Sequence, residues 1–561
     1  MENQRLLLYF TLFFIIYLLW AEWQMDYGPK PEAPVAETTT PAQQEIAEVP
    51  EAAATPDETA IVESKKQGQA TSQRINVITD VLDIEIDTRG GDIRRAVLRN
   101  YSKTAENPDE KLLLMTDTDI NFFIAQSGLV SKNAGSAPTH NAVYSSKQTS
   151  FRLAEGVDEI QVPMQWTGDN GVSVDKIYTF RRNNYVIDVQ HVVQAGSADW
   201  SGSQYMQLVR TPPADEDSNA FIRTYTGGVI YNDEVKYEKV DFDDMAEQNL
   251  LATIGDGCLN LNSSQKGCEL TGGWLAMMQH YFLAAWIPEA GVNNLFYSKN
   301  PSNTYKYILG SRSPAQKISA QAAGSFNTRL VIGPKLQNQL EQIAPGLELT
   351  VDYGVLTIIA KPLFWLLDIF HGWFGNWGWA IIFLTITVKA IFYKLSEMSY
   401  RSMAKMRKVA PRIKQMKERY GDDRQGMSKA MMDMYKREKI NPMGGCFPIL
   451  VQMPVFIALY WVLLESVEMR HAPFILWIDN LSAKDPYFIL PVIMGVSMWI
   501  QQKLNPAPVD PVQQKIFQYM PFVFTVMFAF FPSGLVLYWV VNNILSIAQQ
   551  YVITMRIEKE A

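Results

Sequence analysis

Hydrophobic positions divide this chain into three regimes with different rhythms. Residues 6–20 form a short, unbroken apolar run, apolar and polar residues alternate from Ile75 to about Lys335, and long apolar runs return beyond about residue 350. A period of two places alternate side chains on one face of a strand, so the middle regime predicts β structure. VLDIEIDTRGGDI alternates around Ile84 and Ile86 and turns at Gly90-Gly91, and KIYTFRRNNYVIDVQHVV reads as two strands joined through Arg182, Asn183 and Asn184. TYTGGVIYNDEVKYEKVDF, QHYFLAAWIP and FNTRLVIGPK continue the pattern. Residues 75–350 are therefore expected to form a large, mainly β, sandwich-like domain, with a short helix over Leu336 to Ile343.

The apolar runs predict membrane helices. Residues 1–26 read as an uncleaved anchor, because Leu18, Leu19 and Trp20 put bulk where a signal peptidase needs small residues. Residues 27–74, rich in Pro, Ala, Glu and Thr, have little to bury and read as a disordered tether. Spans are expected over 375–395, 443–468, 487–503, 515–531 and 533–553, the last two divided by Pro532-Ser533-Gly534. Over 351–374 the polar positions Gly354, Thr357, Lys361, Asp368 and His371 share one narrow helical face, the pattern of a helix lying in the membrane interface and kinked at Pro362.

Residues 396–442 predict a helical hairpin broken at Gly421-Asp422-Asp423. Its first helix carries the stripe Met403, Met406, Ala410, Ile413, Met416 and Tyr420, and its second carries Met427, Met431 and Tyr435. Met403, Met406, Arg407, Met416, Met427 and Met431 are the candidate contact residues. The methionines serve either as the seam between the helices or as an adaptable surface for apolar clients.

Composition sharpens this division. The chain has 561 residues, 47% of them hydrophobic, yet its mean hydropathy is −0.08, so the apolar residues are concentrated rather than spread. The net charge of −8 conceals a strongly basic hairpin, and basic residues beside spans mark the cytoplasmic side. With the hairpin inside, six spans put both termini in the cytoplasm and the β domain outside. Three cysteines suggest no metal site; Cys258 and Cys268 are close enough in sequence to pair if that region faces an oxidising compartment, and Cys446 lies alone in a span. His140, His191 and His280 show no metal-ligand spacing, and no Walker-type glycine loop occurs.

One residue inside a span stands out. Lys389 interrupts the apolar run NWGWAIIFLTITVKAIFYK, and a lysine there costs about 3 kcal/mol on insertion scales. It either marks a functional site or snorkels to the interface near Tyr393. At about 1.5 Å per residue, Lys389, Gln452, Asn542, Asn543 and Ser546 all fall between the midplane and the cytoplasmic face, with Thr385 and Ser497 near the middle. The opposite halves, such as PFVFTVMFAFF and VFIALYWVLL, are almost wholly apolar. Convergence of these polar groups would line a wet pocket open to one side only, whereas a channel needs polar lining throughout.

Several motifs are specific to one family. The run from Lys405-Met406 to Lys417-Glu418-Arg419, Asn441-Pro442-Met443-Gly444-Gly445-Cys446-Phe447-Pro448, Gln452-Met453-Pro454 and Phe531-Pro532-Ser533-Gly534-Leu535-Val536-Leu537-Tyr538-Trp539 closely resemble the YidC-type bacterial inner-membrane protein insertases. The resemblance covers nearly the whole chain. It implies a multidomain membrane protein with an N-terminal anchor, five core helices around a hydrophilic groove, a periplasmic β-supersandwich and a cytoplasmic hairpin. It maps the family's groove charge, usually arginine, onto Lys389, its substrate-facing threonine onto Thr385, its aromatic pair onto Tyr538 and Trp539, and a polar position onto Gln452. The implied partners are nascent integral membrane proteins, the Sec translocon with its accessory subunits, the translating ribosome and membrane lipids, with no cofactor. Lysine for arginine keeps the charge but loses the bidentate fork. The tail from Arg556 to Ala561 lacks a long basic extension, which argues against tail-mediated ribosome binding. A small-anion transporter built on Lys389, or an anchored periplasmic carbohydrate-processing protein, are the alternative readings.

Overall fold

Alternating burial is what a strand between core and solvent produces, and the strands Glu159–Thr167 and Ser173–Arg181 show it at nearly every position. The computed structural model describes residues 72–118, 121–133, 135–213, 224–246, 250, 267–301, 305–421, 423–438, 447–505 and 511–559. The expected anchor over 1–26, nearly all of the tether over 27–74, Cys258, Cys446 and the side chains of Arg407 and Ala410 lie outside the described residues. The chain forms two compact units, one of the described residues up to Lys103 with Pro108–Thr350, the other of Thr104–Asn107 with Val351–Ala561.

The first unit is built from two sheets. One has 11 strands, with a central path in the order Cys268–Thr271, Asn293–Lys299, Tyr307–Arg312, Trp200–Arg210, Phe123–Ser131, Asp92–Ser102, Leu82–Asp87, Arg74–Ile78 and Ser150–Arg152. The other has 8, in the order Lys236–Val240, Gly227–Asn232, Trp274–Gln279, Phe282–Pro288, Ala323–Pro334, Val186–Gln194, Ser173–Arg181 and Glu159–Thr167. Neighbours pair antiparallel except Arg74–Ile78 with Ser150–Arg152. Phe282–Pro288 is buried at every residue, and Trp286, Trp274 and Phe296 are among the largest fully buried side chains. Burying each such aromatic contributes about 3 kcal/mol. Cys268 is disulfide-bonded.

The interior of this unit is not purely apolar. Lys176, fully buried, donates from Nζ to the Gly90 and Ser127 carbonyls, each at 2.8 Å. Gly90 and Gly91 have positive φ, and a Cβ on Gly91 would stand 2.9 Å from the Lys176 Cδ, so the glycine turn makes room for the lysine beneath it. Asp92 accepts from Arg94 at 3.0 Å and from Gln126 at 2.8 Å. Gln126 accepts from Gln207, which accepts from Tyr297, both at 2.8 Å, so one chain of bonds crosses the core. His140 meets the Tyr205 hydroxyl at 2.7 Å and His191 meets Gln204 at 3.0 Å. Both rings are buried at 2% and 0% exposure, so they belong to the core rather than to a solvated face. Among the described residues no group of His, Cys, Asp and Glu could hold a metal ion.

The second unit is helical: α1 (Thr357–Phe374), α2 (Trp377–Ile391), α3 (Tyr393–Tyr420), α4 (Arg424–Arg437), α5 (Phe447–Glu465), α6 (Ile489–Leu504), α7 (Pro511–Phe528) and α8 (Ser533–Lys559). Gly375, at φ 62, ends α1, and the Asn376 side chain caps α2 by accepting from the Gly378 and Trp379 amides. Trp365, Trp373 and Trp379 are exposed here. Packing makes α8 the hub, touching α2, α3, α5 and α6.

Two helical expectations change. The single helix expected over 375–395 is two: α2 ends at Ile391 and α3 starts at Tyr393, turned by 66°. Beyond the break the residues are amphipathic, with Lys394, Glu397 and Arg401. At 15 residues α2 spans about 22 Å, short of the ~30 Å hydrocarbon core. Among the described residues no single helix is long and apolar enough to cross a membrane, although Trp377–Ile391 and Tyr393–Met406 together meet that test as a bent pair. In the α3/α4 hairpin, Val409 and Ile413 are the buried centre, with Met406, Met416, Met431, Met434 and Tyr435 packed on them. The seam therefore steps 406, 409, 413, 416, and Met403 and Met427 stay outside it.

A polar cluster on helix α8

Helix α8 carries Asn542, Asn543, Ser546 and Gln550, spaced so that they share one side of the helix. Each reaches a different neighbour. The Lys389 Nζ on α2 donates to Ser546 Oγ at 2.6 Å, Gln452 on α5 donates to Asn542 Oδ1 at 2.7 Å, and Asn543 donates to Ser497 Oγ on α6 at 3.0 Å. Gln550 donates to the Leu504 carbonyl at 3.1 Å, tying α8 to the end of α6. The Tyr400 hydroxyl on α3 donates to the Ser546 carbonyl at 3.4 Å. Four helices are thus fastened to α8 by polar side chains inside a bundle whose other contacts are mostly apolar.

The cluster has buried and accessible parts. Lys389 is 7% exposed, and Ser497, Asn543 and Ser546 are buried with it. Gln452, Trp539 and Asn542 are half-buried, so the more accessible part of the cluster is the one that α5 and α8 share. Among the described residues Lys389 makes no ion pair. Its charge is therefore held by one hydroxyl, with two ammonium hydrogens in reserve.

Thr385 stands apart from the cluster. It is 1% exposed and spends its hydroxyl on the Ile381 carbonyl one turn back, at 2.7 Å. Tyr538 and Trp539 join an aromatic group instead: the Trp539 ring is 4.6 Å from Phe456 and 5.2 Å from Phe528, and Tyr538 stacks on Phe456 at 6.2 Å. The Tyr538 hydroxyl lies beside Gln452 without completing a hydrogen bond, and the buried Trp539 Nε1 has no partner among the described residues. The structure pairs Ser546 with Lys389 and adds Tyr400 and Gln550, two residues that the apolar pattern of the sequence does not single out.

The other end of α8 is closed. Ser533 donates through its amide to the Ala483 carbonyl at 2.7 Å and through Oγ to the Asn480 carbonyl at 2.8 Å, and the Gly534 amide donates to Leu481 at 2.9 Å. Asn376 at the start of α2 donates to the Pro473 carbonyl at 3.2 Å in the same connecting segment. Asp485, 1% exposed, holds that segment by accepting from the Trp477 indole at 3.1 Å and from the Leu490 amide at 2.7 Å. Thirteen residues, about 20 Å of helix, separate this seal from Ser546.

The chain thus joins a large β-sandwich to a bundle of apolar helices with a polar cluster in its interior, the class of a two-unit protein with one β and one helical, membrane-type part. Family models agree with that class: the YidC periplasmic domain matches residues 74–366 and the 60Kd inner membrane protein matches residues 369–560. The chain belongs to the YidC family of inner-membrane proteins. It is 51% identical to the membrane protein insertase YidC of Methylococcus capsulatus, covering 100% of this chain and 99% of that one. The proteins of the same description from Thioalkalivibrio sulfidiphilus and Nitrosococcus oceani are 50% and 49% identical, over 100% of this chain and 99% and 100% of theirs. A solved structure described as an active YidC insertase aligns with 86% of this chain and 93% of its own at 17% identity, with a TM-score of 0.39.

Proposed function

We infer that this chain is a membrane protein insertase of the bacterial inner membrane, taking nascent membrane proteins as clients and helping them fold. The observation that carries the mechanism is the cluster of Lys389, Ser546, Gln452, Asn542, Asn543 and Ser497, polar on one side of the bundle and backed by a closed end. A hydrophilic, often acidic, tail or short loop of the client enters between α5 and α8 past Gln452 and Asn542. There Lys389 attracts it, and amide and hydroxyl groups replace part of its water. The client's apolar segment moves past Tyr538 and Trp539 into lipid. The notch shortens the ~30 Å of hydrocarbon that the polar part has to cross, and burial of the apolar segment drives the rest at about 25 cal/mol per Å². No covalent step, nucleotide or cofactor is needed in this scheme.

The assignment of sides follows the charge pattern. The basic hairpin α3/α4 and both termini lie in the cytoplasm and the β-sandwich in the periplasm, which suits its disulfide-bonded Cys268. The hairpin is the contact for the translating ribosome, and the Sec translocon is a second partner for larger clients. An anion transporter fits less well, because polar lining stops at the Ser533 end of α8. A catalytic role for the sandwich fits less well because its buried carboxylate and histidines are enclosed in the core, bonded to Gln126, Tyr205 and Gln204.

The test is site-specific crosslinking from Gln452 and Trp539 to a stalled nascent client. Crosslinks that disappear when the client is released are expected. Their absence, in intact protein that still inserts the client, removes the notch from the mechanism.

A further inference from the structure

Lys389 is a buried cation held by a hydroxyl, and that hydroxyl is itself oriented. Ser546 Oγ has one hydrogen, directed to the Asn542 carbonyl at 2.7 Å, one turn back on α8. The lone pairs therefore face away from that carbonyl, and one of them receives Lys389 Nζ at 2.6 Å. The same turn is steadied from α3 by the Tyr400 hydroxyl, which donates to the Ser546 carbonyl.

We propose that Ser546 is a positioning residue for the cation of the notch: its oriented hydroxyl parks the Lys389 amine against α8 in a state that a client carboxylate can take over. This rests on the insertase reading above and deepens it. A neutral hydroxyl suits the task because it accepts from the ammonium without cancelling its charge. The ammonium–hydroxyl bond is already charge-assisted, and what a client carboxylate adds is attraction between opposite unit charges, which favours the exchange. A fixed carboxylate at the same place would form a permanent ion pair and leave nothing for the client to bind. With no acceptor there, the flexible lysine stem would swing toward the helix end at Ile391, some 3 Å further along the axis, and present its charge elsewhere. Asn542 links this latch to the opening, because its carbonyl orients Ser546 while its side chain accepts from the half-buried Gln452. A polypeptide that displaces Gln452 meets Asn542 first and the amine next.

The experiment uses the full-length chain in proteoliposomes and a client series identical except for zero, one or two aspartates in the translocated tail. Ser546→Ala should lower insertion of the two-aspartate client about tenfold relative to the neutral client, the size expected for one hydrogen bond to a charged group. Ser546→Thr, which restores the hydroxyl, should recover the ratio. Ser546→Asp should erase the advantage of acidic tails. Equal losses on all tails with Ser546→Ala, or a preserved acidic preference with Ser546→Asp, would overturn the proposal. Lys389→Gln separates the two readings. If it leaves tail-charge dependence intact, the notch cation itself is wrong; if it abolishes that dependence while Ser546→Ala does not, only the role of Ser546 falls.

Discussion

Both units of this molecule bury a lysine, and they treat it in opposite ways. Lys176, inside the β-sandwich at 0% exposure, gives two hydrogens to backbone carbonyls and has the Asp92 charge close enough to favour its ammonium form. Lys389, in the helical unit at 7% exposure, has a single serine hydroxyl and no carboxylate among the described residues. The first is a closed account of charge and hydrogen bonds, which is what a structural polar core requires. The second keeps a charge uncompensated beside half-buried amides, which is a cost to stability that only a ligand can offset. Charge balance, more than burial, is what distinguishes the two lysines.

The largest effect tests the structural side. Lys176→Ala removes one of the two cations near Asp92, strips the Gly90 and Ser127 carbonyls of their buried donor and opens a cavity beneath the Gly90-Gly91 turn, so the sandwich should lose about 2 to 5 kcal/mol even though Arg94 still faces Asp92. Urea titration of the full chain, followed by proteolysis of the sandwich, would read this as a lower midpoint. An unchanged midpoint would mean that the polar chain through Asp92, Gln126 and Gln207 is dispensable. Next in size is charge reversal at the other site. Lys389→Glu should cut insertion of acidic-tailed clients about tenfold more than that of neutral-tailed ones, since it exchanges attraction for repulsion in a poorly solvated place. Equal losses would remove electrostatic capture.

The sequence exposed these two lysines unequally, for physical reasons. Lys389 was visible because a charge inside an apolar run has few structural explanations. Lys176 was not, since a lysine in an alternating strand reads as solvent-facing, and only the 11-stranded sheet closing over that face makes it interior. The sandwich itself was legible from the period-two stretches and the glycine turn. The break at Phe392 was not, because Ile391, Phe392 and Tyr393 continue the apolar pattern while the backbone turns. In the hairpin the methionine stripe suggested Met403 and Met427, but Val409 decides the seam. Ser546 stood out only as one polar residue of a set, and its pairing with Lys389 had no local signal, because the two sit 157 positions apart on different helices.

A third effect concerns pH and should be felt in the sandwich. Burial lowers the His140 imidazole to about 3 and holds His191 well below its usual value. The unfolded chain therefore takes up protons on both rings as pH falls below about 6.5, and stability is lost on that side. Burial also lifts the Asp92 carboxyl to about 6, so the folded chain takes up one proton before the unfolded chain does, which partly opposes the loss. Two protons against one leave a net decline on the order of 1 kcal/mol per pH unit between roughly 6 and 4. His191→Gln keeps a partner for Gln204 and should flatten that slope. A slope that stays the same would place the acid sensitivity elsewhere.

The smallest effect is expected at position 389, when one conservative change is made at both lysines. Arginine keeps the charge at position 389 and offers five donors in a fork. Ser546 needs only one of them, and a client carboxylate can use two in parallel. The neighbourhood toward α5 is half-buried rather than sealed, so the larger head has somewhere to go. Lys389→Arg should therefore leave insertion of acidic clients within about twofold of the starting protein, with any change in the favourable direction. The same replacement at Lys176 has no such freedom. The amine there is fixed by two carbonyls at 2.8 Å, and the side chain is fully enclosed, so a planar guanidinium overpacks the site at a cost of about 1 to 3 kcal/mol. Insertion assays for the first variant and urea midpoints for the second would read the pair. If arginine is tolerated equally well at both positions, the contrast between a sealed lysine and an available one is not what separates the two sites.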